Sequence, residues 1–195
     1  MAESKAMEYL PGRLTSPVPD PFEDTEYAML MSFFSRKAKQ DGVADAAGTA
    51  PRDLPYDPAL VAALTLEHRS LVSLLVRAKA LAQRESYGEA MDTLQEFSQG
   101  LAGHLKRESA ELHPYLTAHL KGEDRDRILR EMRASSAHVE KAVEGFLKHY
   151  AGYPVGERNV GIFVMEIDGV SEEFCERIEK EEATVYTLYV PPEAY

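Results

Sequence analysis

His104 and Glu108 stand four residues apart in the run GHLKRESAELHPYL at 103–116. Four residues is close to one turn of an α-helix, so the two side chains share a face with Cβ atoms about 5–6 Å apart. An imidazole nitrogen and a carboxylate oxygen so placed can converge on one cation or on two neighbouring ones. Leu94, Phe97 and Leu101 lead into the pair at steps of three and four, so both groups fall on the stripe that should face a core. Other stripes carry similar residues: His68 after Val61 and Leu64, His138 between Ser135 and Ala142, and Glu181 between Phe174 and Val185, with Arg177 one turn before it. A single imidazole on an apolar stripe is ordinarily a hydrogen-bonded core residue. Three His and two Glu on four separate segments argue together for a cation site, since leaving each buried without a partner costs several kcal/mol. Mixed His and carboxylate donors suit iron, manganese or zinc better than calcium.

The segments that must position these groups are helical. Apolar residues recur at three/four spacing over 59–84, 87–120, from about Glu123 to 150, and 160–189. The loop AGYPVGERN at 151–159 separates the last two, and VPPEAY ends the chain. Strand signals are scarce and no Gly-rich phosphate loop occurs. The expected fold is all-α, an antiparallel up-down four-helix bundle over residues 59–190. Residues 1–58 read as an extension. Pro11, Pro17, Pro19 and Pro21 exclude regular structure at its start, and the Gly, Ala, Asp and Pro of 40–58 read as linker. Between them, EDTEYAMLMSFFSRKAK at 23–39 is expected to form a short helix that packs back onto the bundle or docks a partner.

Composition narrows the function classes. Lys and Arg number 22 against 33 Asp and Glu, a formal charge of −11 that disfavours nucleic acid and anionic membranes as partners. Cys175 is the only cysteine, which leaves no disulfide framework and no Cys-based zinc site within one chain. No leader-like h-region and no run of about 18 apolar residues is present, so a cytoplasmic protein is expected. No nucleophile–base grouping has local support, and no substrate motif favours an enzyme such as an oxidase or peroxidase. His113, His119 and His149 lie near helix ends and read as surface or cap residues; Cys175 reads as a small, partly buried hydrophobe.

EHRSL at 67–71, HLKRESAELHPYL at 104–116, His138 in SSAHVEKAV and RIEKEEATVYTLY at 177–189 together resemble the hemerythrin-like family, also called the HHE cation-binding domain. The resemblance implies a four-helix bundle with non-haem iron, the ligand positions falling on His68, His104, Glu108, His138 and Glu181. Both carboxylates would be candidate bridges between two ions. The fourth helix of that family usually carries a second His-x-x-x-Glu followed by Tyr or Phe. Here Glu181 and Tyr186 fit, but Arg177 stands in the His position. A guanidinium stays protonated and cannot ligate a metal, so the expectation becomes a reduced or degenerate site, with Arg177 reaching Glu108 or Glu181 as a charge substitute. The chain is also similar, over LAGH (101–104) and EEFCERIEKEE (172–182), to the regulator-of-sigma-D family. That similarity implies a metal-free regulator binding a sigma factor or another protein through a bundle face, or through residues 23–39.

Overall fold

The computed structural model describes residues 54–195, without the side chains of residues 123, 124, 129 and 131–138. The expected helix at 23–39 therefore lies outside the described residues. Five α-helices account for most of what is described, with no strand among those residues: α1 (Leu60–Gln83), α2 (Tyr87–Arg107), α3 (His113–His119), α4 (Gly122–Gly152) and α5 (Val160–Lys180). A π turn, Glu108–Leu112, carries α2 into α3, so the two form one interrupted rod. A second π turn, Glu181–Val185, extends α5 and passes into a 3-10 turn at Tyr186–Leu188.

Contacts across the rods fix their directions. Glu67 faces Arg107, His68 faces His104, Leu71 lies against Gly100 and Arg77 faces Glu96, so α1 and α2 run antiparallel. His68 meets Glu182 while Lys79 meets Asp168, which makes α1 and α5 antiparallel too. α4 packs beside α5, with Phe146 and Tyr150 against Phe163. The α1–α2 connection is short because the helix ends in a paired-bond cap: Ser86 N–H donates to the Leu81 carbonyl and Glu85 N–H to that of Ala82. The motif requires a left-handed residue, and Glu85 supplies it at φ 63°.

The apolar interior comes in two parts. The larger cluster runs through Leu71, Leu75, Leu94, Phe97, Leu101, Leu105, Phe163 and Phe174. The smaller gathers Leu60, Leu64, Leu112, Tyr115, Leu116, Val185, Tyr186 and Tyr189. On each contributing rod the residues between the two clusters are polar and buried: His68 on α1, His104 and Glu108 on the second rod, Arg177 and Glu181 on the last. The bundle is thus two apolar cores separated by one ionisable layer.

The π turns change two sequence expectations. The segments 87–120 and 160–189 are not uninterrupted α-helices. Each turn opens on a site carboxylate: the Glu108 carbonyl accepts from His113 N–H and the Glu181 carbonyl from Tyr186 N–H, five residues on. The first turn lies immediately before Pro114, which has no N–H for an α-helical bond. The second rotates the following face, so that Val185, Tyr186 and Tyr189 are buried while Leu188, expected on the stripe, is only half-buried. On α4 the core is met by Val139, Val143, Phe146 and Tyr150, leaving Ala142 at the stripe edge.

Candidate metal centre

Four of the five expected ligands come together. One donor atom from each of His68, His104, Glu108 and Glu181 lies within 4.8 Å of the others, and all four residues are buried. The two imidazoles meet through their Nε2 atoms at 3.1 Å. His104 Nε2 lies 3.5 Å from Glu108 Oε1, and His68 Nε2 lies 3.7 Å from Glu181 Oε2. Donors about 2.1 Å from a shared ion stand roughly 3–4 Å from one another, and these three separations are of that size; the whole set could hold an ion. Glu181 Oε2 is buried without a hydrogen bond and is met only by ion-pair contacts, with Arg177 Nη2 at 3.3 Å and His68 Nε2 at 3.7 Å. The fifth expected ligand, His138, lies on α4 within the stretch whose side chains are not described.

Arg177 occupies the same layer. Its Nη2 donates to Glu108 Oε2 at 3.0 Å and to Glu181 Oε1 at 3.3 Å, bridging the two carboxylates. Its Nε is buried without a partner. The side chain is therefore placed where the sequence suggested, within reach of both acids.

Tyr186 closes the site from the side of the smaller core. Its ring stacks on His68 at 5.6 Å with only 4° between planes, and its hydroxyl donates to Glu108 Oε1 at 3.3 Å. Sequence reasoning noted this tyrosine but not its contacts. It missed two others altogether. Glu182 Oε1 lies 2.9 Å from His68 Nδ1, and Glu67 Oε2 lies 3.0 Å from His104 Nδ1. Both glutamates sit one position off a stripe residue in sequence, beside Glu181 and His68. About 100° around a helix from the stripe is the flank that meets a neighbouring rod, and that offset was the available signal.

Burial and pairing pull the protonation states apart. Burial lifts the Glu181 carboxyl to about 7, with the charge of Glu108 adding to the effect and Arg177 opposing it. Glu108 is equally sequestered, but the His104 bond and the Arg177 charge outweigh burial and hold it below the usual carboxylate range. Burial lowers His68. For His104 burial pulls in the same direction, yet the bond and charge of Glu108 leave it raised. Burial, reinforced by Glu108 and Glu181, pushes the Tyr186 phenol upward, so it stays neutral. Near neutral pH the layer holds protons that a cation would displace.

Of the other histidines, His113 is half-buried five residues past Glu108, where its charge helps hold that carboxyl low, rather than lying at the surface as expected; the remaining two make contacts elsewhere. His119 Nδ1 donates to the Tyr115 carbonyl, and the ring stacks on Tyr115. His149 is exposed near the end of α4.

Fold and site together define a helical-bundle protein with a buried His–carboxylate centre. The profile of the family described as "Hemerythrin HHE cation binding domain" matches residues 59–189, about two thirds of the chain, and the chain belongs to that family. No curated protein and no solved structure matches it significantly. The likeness to the regulator-of-sigma-D family receives no support from these comparisons. No helix among the described residues is long and apolar enough to cross a membrane.

Proposed function

We propose that this protein binds a single metal ion through His68, His104, Glu108 and Glu181, that the ion is iron, and that Arg177 takes the place of a second ion. The observation that carries the reading is the convergence of four buried donors from three rods within 4.8 Å. Arg177 supports the single-ion part, because a guanidinium bridging both carboxylates supplies the positive charge that a second cation would bring. Iron is preferred over zinc or manganese from the family's character alone. Bound iron would supply a redox-active centre able to take a small ligand such as dioxygen or nitric oxide. The chain's own residues hold that centre, bury it between two apolar cores and fix its net charge. The role we propose for that centre is sensing or regulation inside the cell rather than turnover.

Metal analysis of the purified chain tests this. One ion per chain, lost in His104→Ala, is expected; two tightly bound irons per chain would refute the substitution by Arg177. A visible spectrum after aerobic purification adds to it, since an oxo-bridged diiron band contradicts a single-ion site.

A second reading has one observation in its favour. Arg177 already satisfies Glu108 and Glu181 in part, so the layer can persist as an ion-pair network in a metal-free regulator that binds a protein partner. A colourless, metal-free preparation whose partner survives chelator treatment would establish it.

A further inference from the structure

The two imidazoles raise a question of proton placement. Each has an outer nitrogen, Nδ1, facing a carboxylate that reaches water at the rim: Glu182 for His68 and Glu67 for His104. A carboxylate accepts hydrogen bonds and donates none when ionised, so Nδ1 has to carry the proton in both rings. Glu67 is itself fixed, because Arg107 Nη1 takes its Oε1 and leaves Oε2 for His104. When both rings are neutral, this leaves two Nε2 lone pairs facing each other across 3.1 Å, a separation at which a further proton on one ring turns the contact into a hydrogen bond. That arrangement is relieved by a positive centre between them, a shared proton or a cation in its place. A metal ion satisfies both lone pairs at once.

We infer that Glu67 and Glu182 are positioning residues that lock His104 and His68 in the Nδ1–H tautomer and so turn both Nε2 lone pairs into the centre. The lock passes around the bundle. The last rod supplies Glu182 to the imidazole of α1, and α1 supplies Glu67 to the imidazole of α2. Each positioning carboxylate is also the sequence neighbour of a centre residue on its own rod, so a shift of any one rod disturbs two corners of the site. Without the lock, an Nε2–H tautomer would aim a proton at the centre and compete with cation binding. The functional consequence rests on the cation-binding reading above; the tautomer lock itself does not.

Imidazole nitrogen NMR on the metal-free full chain, followed by zinc titration against a competing chelator, tests the inference. Glu67→Leu removes the acceptor for His104 and Glu182→Leu the acceptor for His68; the Gln variants keep a weaker, neutral acceptor. Each Leu variant is expected to shift its own histidine toward the Nε2–H form. Zinc affinity should fall roughly 10–100-fold, with the Gln variants intermediate. Exposed Glu96→Gln should change neither readout. Unchanged nitrogen spectra in both Leu variants would overturn the lock, and changed spectra with unchanged zinc affinity would overturn its positioning role. Absence of zinc binding in the unmodified chain would sink the cation reading, and the nitrogen spectra would still decide the lock.

Discussion

Arg177→Met is the substitution that discriminates most sharply. The guanidinium is buried and bonded to two carboxylates that are also buried. Methionine keeps much of the apolar stem and removes the charge. Deleting one partner of a buried ion pair costs about 3–5 kcal/mol, because the remaining charge is left in a poorly solvated site. For a chain of this size that is a Tm loss on the order of 10 °C. The loss should depend on pH, with a definite sign. Glu181 titrates at about 7 even with Arg177 beside it, and removing that cation lifts it further. A carboxyl whose folded pKa exceeds its unfolded one favours the fold when protonated, and that advantage disappears as pH rises through the folded value. The variant is therefore least impaired on the acid side and most impaired above neutrality.

Thermal unfolding in chelator, at about pH 6 and about pH 8, measures this directly. The same scans with zinc provide the second arm. The two carboxylates that lose Arg177 should bind a divalent ion more tightly, so zinc should raise the Tm of the variant more than that of the unmodified chain. A metal present at 100 times its Kd contributes about 2.7 kcal/mol, enough to recover most of the loss. A chelator-state loss below about 1 kcal/mol at both pH values would refute the reasoning, since exposed pairs lose no more than that. Equal zinc stabilisation of both proteins would separate Arg177 from the cation site.

Three further outcomes follow from the geometry. Zinc or iron affinity in the unmodified chain should weaken as pH falls below about 7, where Glu181 holds its proton, with proton release on binding as the calorimetric check. Phe97→Ala, which removes a fully buried ring packed edge-on against Phe174 in the larger core, should cost about 3–5 kcal/mol in denaturant unfolding and leave metal stoichiometry unchanged. Glu85→Gly should stabilise the chain by roughly 0.5–1 kcal/mol in the same assay, because the left-handed cap position strains a residue bearing a Cβ.

Much of the bundle was legible because its signal is periodic. The α1 stripe of Leu64, His68, Leu71, Leu75 and Ala78 is buried as its spacing implied, and the loop at 151–159 falls between α4 and α5. The centre was legible because polar groups interrupt those stripes; His68, His104, Glu108, Glu181 and Arg177 were all marked by position alone. The π turns were not legible. An i to i+5 bond leaves no local residue signature beyond the nearby Pro114, and one extra residue per turn is enough to exchange Leu188 for Tyr189 in the core. Glu67 and Glu182 escaped for a different reason. Each acts on another rod, 37 and 114 positions away; the offset from its own stripe marks the flank it lies on but not the imidazole it meets.

The charge of the layer bears on how many ions it can hold. Among the described side chains facing the centre, Glu108 and Glu181 can bring two negative charges and Arg177 brings one positive; the imidazoles bring none when they ligate. Glu67 and Glu182 are engaged on the outer nitrogens. One divalent ion leaves the layer with a single net positive charge, which one anionic small ligand could neutralise. Two divalent ions beside Arg177 would leave three, between two apolar cores. Uncompensated charge in such surroundings costs several kcal/mol per ion. On this count the single-ion site proposed above would be favoured over a two-ion one on electrostatic grounds. Arg177→His, which removes the fixed charge and adds a nitrogen donor one turn before Glu181, should raise the stoichiometry from one iron per chain toward two by metal analysis. A stoichiometry that stays at one would show that something other than the guanidinium limits the site.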